Sequence, residues 1–136
     1  MLTAEQREQK APVIAATLEQ FSGTEGYHRL SPLHRGLVVT DGVKYLCEEA
    51  GAYWLVDIIA SYQPKCMRDP MLRHMQFWTL QVDQEKRTAV VTCERDGDDV
   101  AITQRIGWSD FPLPEVKVWV EAADEGLWVA MLPRER

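Results

Sequence analysis

The sequence predicts an α+β domain in which N-terminal helices pack on an antiparallel sheet of about five strands. Three observations predict it. Apolar residues recur with a helical period up to about residue 75, and from Gln76 onward the period falls to 2. Turn-forming clusters, "RDGDD" and "AADEG", then separate strand-like runs closely enough for hairpins, which favours antiparallel pairing over crossovers. With 136 residues the chain fits one domain over 1–136, helical over 1–75 and a β meander over 76–133. A chain of that size buries roughly two thirds of its unfolded surface, enough for a single core.

The first helix is signalled by Thr3 followed three residues later by Gln6, the capping-box pattern, and then by strong helix formers. Pro12 implies a kink there or a better-packed part beginning near it, with Val13, Ile14, Thr17, Leu18 and Phe21 as the apolar stripe. "SGTEGYHRLSPLHRG" reads as a polar connector punctuated by Gly, Ser and Pro. Thr40 or Asp41 should cap a short helix ending at Gly51, and "GAYWLVDIIASYQ" should follow as another. At about 100° per residue, Leu55, Val56, Ile58, Ile59 and Tyr62 fill one arc of that helix, with Tyr53, Asp57 and Ser61 opposite. "DPMLRHM" adds a single turn capped by Asp69.

In the strand-rich half, "QFWTLQVD" puts Trp78, Leu80 and Val82 on one face, and "TAVVTCE" does the same with Ala89, Val91 and Cys93. Asp96-Gly97 fits a hairpin turn with positive φ angles, after which "VAITQRIGW" forms a third strand. Two prolines break the chain in "SDFPLPE", and "VKVWVE" and "LWVAML" make a last hairpin. Val116, Val118 and Val120 should face the core and Trp119 the other side.

Composition narrows the function classes. No apolar run approaches the roughly 20 residues that span a bilayer, and "MLTAEQREQK" lacks the apolar segment of a secretory signal, so the expected location is cytoplasmic with no membrane partner. Cys47, Cys66 and Cys93 are scattered and odd in number, which suits reduced thiols. The net charge of −6 is concentrated after residue 68, where 8 basic residues face 13 acidic ones. That balance argues against nucleic-acid binding, which draws on clustered Lys and Arg, and leaves room for a basic or polar protein partner.

The segments "FSGTEGYHR", "LVVTDGVKYLCEEAGAYWLVDIIASYQ", "FWTLQVD", "VVTCE", "DFPL" and "MLP" together resemble a family of small bacterial proteins of unknown function met in mobile-element and phage contexts. The resemblance runs from about Phe21 to Pro133 and is most specific in "TDGVKYL" and "AGAYWLVDIIASYQ". It implies a bacterial accessory protein, a class that often binds a host or defence component, and it assigns no catalytic residue.

Candidate binding residues follow from chemistry and spacing. Tyr53, Asp57 and Ser61 lie four apart on one helical row with Trp54 beside them, so a phenol, a carboxylate and a hydroxyl share one side. Asp57 there is either a rim carboxylate, paired with Lys44 or an arginine, or an acid or base raised by nearby aromatic surface; the first reading is preferred. His28 is a loop histidine able to join that row. Trp119 suits either an interface or a covered second sheet face. His28, His34, His74 and Cys66 lack metal-ligand spacing, and no phosphate loop is present, so neither metal nor cofactor is expected. The expected function is a non-enzymatic accessory protein that binds a protein partner, with self-association through the strand-rich half left open. The alternative is a small enzyme or small-molecule binder built on Tyr53, Asp57, Ser61 and a loop histidine.

Overall fold

The computed structural model describes residues 2–136. Helix α1 (Ala4–Leu18) starts at the expected box: the Thr3 hydroxyl accepts the Gln6 N–H while the Gln6 side chain accepts the Thr3 N–H. The helix continues through Pro12, whose missing N–H leaves the Glu8 carbonyl without a helical donor on an exposed side. Ala11, Ile14 and Leu18 set the packed line at spacings of three and four, with Phe21 beyond them. Val13 lies off that line and is 61% exposed, contrary to the expected stripe.

Thr40 caps α2 (Asp41–Ala50), which ends at Gly51 in the left-handed region, φ 65°. Helix α3 (Tyr53–Ser61) buries Leu55, Val56, Ile59 and Ala60 and leaves Ile58 half-buried, so its packed arc is centred away from Ile58. A short α4 (Gln63–Cys66) follows. "DPMLRHM" is a turn, with Asp69 Oδ1 accepting the Met71 and Leu72 N–H groups at 2.9 and 3.1 Å.

The sheet has six strands: β1 (Leu37–Val39), β2 (Met75–Asp83), β3 (Thr88–Glu94), β4 (Val100–Ile106), β5 (Glu115–Ala122) and β6 (Trp128–Met131), in the spatial order β1-β6-β5-β2-β3-β4. The expected count of about five is close to the six observed; the addition is β1, which lies inside the part read as helical and runs parallel to β6, so the sheet is mixed and mostly antiparallel. Three residues carry too little period to be read, and the partner strand lies some 90 residues away. The strands after Gln76 also do not form a simple meander. β2, β3 and β4 are consecutive, then 107–114 carries the chain back so that β5 pairs with β2, giving a Greek-key order.

Arg87 holds that crossing segment. Its Nε donates to the Ser109 carbonyl at 2.9 Å and its Nη2 to the Phe111 carbonyl at 2.6 Å, while its own carbonyl accepts the Ser109 N–H. Arg87 itself takes φ 57°, in the tight connection between β2 and β3. The Asp96-Gly97 turn, by contrast, needs no positive φ, because it spans more than two residues and closes through Arg95 N–H to the Asp99 carbonyl.

The helices cover one sheet face. Trp78, Leu80, Val91, Cys93, Val118 and Val120 meet residues of α1, α2 and α3 in one core. Inside it the Gln63 and Gln76 side chains, both fully buried, bond to each other reciprocally at 2.8 and 2.9 Å, and Trp78 Nε1 donates to Gln76 Oε1 at 2.8 Å. On the other face Trp119 stands edge-on to Phe77, centroids 5.2 Å apart, beside a small cluster of Val38, Val129 and Met131. Among the described residues no helix is long and apolar enough to cross a membrane.

Three aspartates give the fold an acid limit. The His28 ring bonded to Asp41, the Arg95 guanidinium beside Asp69 and the Lys86 N–H on Asp83 hold each carboxyl below its ordinary 3.8. Carboxylates depressed in the folded state add stability that is present above the unfolded value and lost as pH falls through the folded one. Melting temperature should therefore hold toward neutral pH and decline below about pH 4. In Asp69→Asn the acid decline should be shallower than in the wild type; identical slopes would remove Asp69 from the account.

Candidate functional site

The Tyr53, Asp57 and Ser61 row lies on α3, but the three side chains do not combine into a chemical unit. Tyr53 is 45% exposed, and the Ser61 hydroxyl turns back to donate to the Ile58 carbonyl at 2.7 Å. Asp57 is half-buried and joins no ion pair among the described residues. The expected partner Lys44 instead faces Glu48 one turn on, at 3.5 Å. Asp57 does act on the core: with burial as the larger cause, it helps push the Cys47 thiol up to about 12.

The loop histidine is committed elsewhere. His28 forms a bridge with Val39 through both backbone groups, and its Nε2 lies 2.8 Å from Asp41 Oδ1 at the start of α2. Asp41 also accepts the Glu25 N–H, so this contact fixes the connector onto the helix. His34 Nδ1 accepts the Gly36 N–H and its ring meets Trp128 edge-on. All three cysteines are buried, and a hydrogen bond with Cys66 together with burial raises the Cys93 thiol. The same hydrogen bond lowers the Cys66 thiol, but none of the three has the exposure of a nucleophile. Among the described residues no group of three His, Cys, Asp or Glu side chains is placed to hold a metal ion.

Of the predicted residues, Trp54 lines a cleft. It and Ile58, one turn apart on α3, form one wall; Ile106 at the end of β4 and Trp108, Ser109 and Asp110 from the crossing segment form the rest, enclosing about 380 Å³. Trp108 is 47% exposed. The residues after it are fixed: Ser109 Oγ accepts the Phe111 N–H at 3.1 Å, Arg87 grips both carbonyls, and the Phe111 ring is fully buried. Two indoles on a pinned frame give the cleft a largely apolar lining. It contains no histidine and no paired acid and base that would move a proton.

The acidic groups at this cleft are Asp110 on its rim and Asp57, on α3 with Trp54 and Ile58; neither is in an ion pair among the described residues. Asp110 accepts the Leu2 N–H. β4 is also the sheet's outer strand, so alternate backbone groups along it face outward beside the cleft. Sequence reasoning missed Trp108, Ser109, Asp110 and Ile106. The available signal was an aromatic residue just past a strand and before a proline-rich segment, at a position no hydrophobic period explained.

A family model described as a family of unknown function (DUF6876) matches residues 13–136. No curated protein and no solved structure matches the chain.

Proposed function

Since the chain belongs to the DUF6876 family, of unknown function, we propose that it is a non-enzymatic protein-binding module that takes an extended, basic segment of a protein partner. The observation that carries this reading is the Trp54, Ile58, Ile106 and Trp108 cleft beside the open edge of β4. Strand addition at an open edge supplies main-chain hydrogen bonds, and an adjacent apolar cleft supplies the side-chain specificity. The unpaired aspartates around it favour Lys and Arg flanking the apolar anchor. The bacterial accessory setting implied by the sequence resemblance, with its host or defence partners, is part of the same proposal. The enzymatic alternative draws on a histidine that lines no part of this cleft and a serine bonded to its own helix.

The test is a random peptide library displayed on phage and panned on the purified protein. Enriched peptides should share an aromatic or large aliphatic residue flanked by basic ones. Trp108→Ala should weaken binding of a selected peptide by about tenfold or more, the usual effect of removing a central indole. Asp57→Asn and Asp110→Asn should reduce the salt-sensitive part of the affinity. If Trp108→Ala binds as well as the wild type, the cleft is not the recognition site.

A further inference from the structure

A second cleft, of about 280 Å³, lies between α1 and the β2–β3 connection, lined by Ala4, Arg7, Glu8, Arg87, Gln84 and Pro112 among others. It brings two guanidinium groups together in a chain of net charge −6. Each is held by backbone carbonyls rather than by a carboxylate: Arg7 Nη1 donates to Leu2 O at 3.1 Å, and Arg87 bonds the Ser109 and Phe111 carbonyls. Neither enters an ion pair within 4.0 Å among the described residues. The remaining carboxylates nearby are Glu8, exposed on the lining, and Asp110, which accepts the Leu2 N–H.

The structural duty of Arg87 is plain, since it ties the crossing segment to the hairpin. That duty explains Nε and one Nη2 hydrogen and leaves Nη1 uncommitted. It does not explain Arg7, which is half-buried on the packed side of α1 with one bond to the Leu2 carbonyl, and whose charge, after burial as the larger cause, helps lower the Arg87 pKa. Two like charges lining one cleft with spare donors suit an anion.

We propose that Arg7 and Arg87 form a binding site for a phosphate monoester. A carboxylate offers two oxygens and satisfies one guanidinium fork; a terminal phosphate offers three and carries close to two charges, so it can take both forks at once. The site is separate from the Trp-lined cleft and does not depend on that cleft's role.

The probe is inorganic phosphate, titrated against the full chain at constant ionic strength with chloride as the reference. At about 20 mM phosphate the melting temperature should rise by about 2 °C over chloride, as expected for a ligand that binds only the folded state. Part of any rise comes from the general exclusion of phosphate from protein surface, so the decisive figure is the difference between wild type and Arg7→Gln. Arg7→Gln removes the guanidinium and its bond to the Leu2 carbonyl, so its melting temperature in chloride is the stability control against which its phosphate affinity, read from ³¹P line broadening, should fall about tenfold. Arg7→Lys should recover only part of the affinity, because it restores the charge without the fork. Displacement of phosphate by phosphoserine or by a mononucleotide supports the site and identifies the carrier. Equal phosphate binding by wild type and Arg7→Gln, or failure of both monoesters to displace phosphate, overturns it.

Discussion

Gln76→Leu is expected to cost about 3–5 kcal/mol of folding stability, although it replaces a polar core residue with an apolar one of similar size. The Gln76 carbonyl oxygen accepts from Gln63 Nε2 and Trp78 Nε1, and its amide donates to Gln63 Oε1 and to the Leu72 carbonyl at 3.0 Å. Gln63 also donates to the Ile59 carbonyl at 2.9 Å. The group links α3, α4, the 67–74 turn and β2, and no buried side-chain nitrogen or oxygen in the described residues lacks a partner. Removing one amide strands the other, together with the Trp78 N–H and the Leu72 carbonyl, where water does not reach. Each orphaned group costs about 1–3 kcal/mol, partly relieved by local relaxation. Removing both amides strands fewer groups, so Gln63→Leu/Gln76→Leu should lose less than the sum of the two single changes. Urea unfolding of the four proteins measures this coupling. A single-variant loss below about 1 kcal/mol, or strict additivity, would show that the amide pair is not a unit.

Glu135→Ala should be the other large loss, about 2–4 kcal/mol, from a residue next to the chain's last. Terminal residues are usually loosely held. Here Glu135 is 9% exposed: one carboxylate oxygen accepts the Thr40 hydroxyl at 2.5 Å and the Leu132 N–H at 2.9 Å, and the other accepts the Gly42 N–H at 3.0 Å. The carboxylate thus occupies the positive end of α2, whose first N–H groups have no helical acceptor. Gly42 makes room for it, since a Cβ there would stand 2.5 Å from a Glu135 oxygen and 2.7 Å from Leu132 Cδ1. Gly42→Ala should therefore destabilise despite alanine's better helix propensity. In a Glu135→Ala background the same Gly42→Ala change should cost much less, because the nearest clash is gone. Thermal and urea unfolding of the single and double variants test this; an equal cost of Gly42→Ala in both backgrounds would contradict the contact.

Much of the architecture was legible because it rests on local regularity. The capping box at Thr3, the left-handed Gly51, and the alternation that sends Trp78, Val91 and Val118 inward all follow from neighbours in sequence. β1 was not legible: Leu37, Val38 and Val39 become a strand only because β6 lies alongside. The site was legible in one part. Trp54 was singled out, but its chemical companions were sought at helical spacing on the same element, in Tyr53, Asp57 and Ser61. The residues that share its cleft are Ile106 and Trp108, some 50 positions away.

The sequence by itself determined the class of fold, the polarity of each strand face and the side of α3 on which Asp57 lies, since these depend on period and on the angle between successive residues. Tertiary structure alone decided that the chain doubles back through 107–114, that Trp108 and Trp54 line one cleft, that Arg7 and Arg87 line another and that Glu135 closes the start of α2. Each of those depends on how elements far apart in sequence dock, and docking is set by the complementarity of whole faces, of which any one segment carries only half.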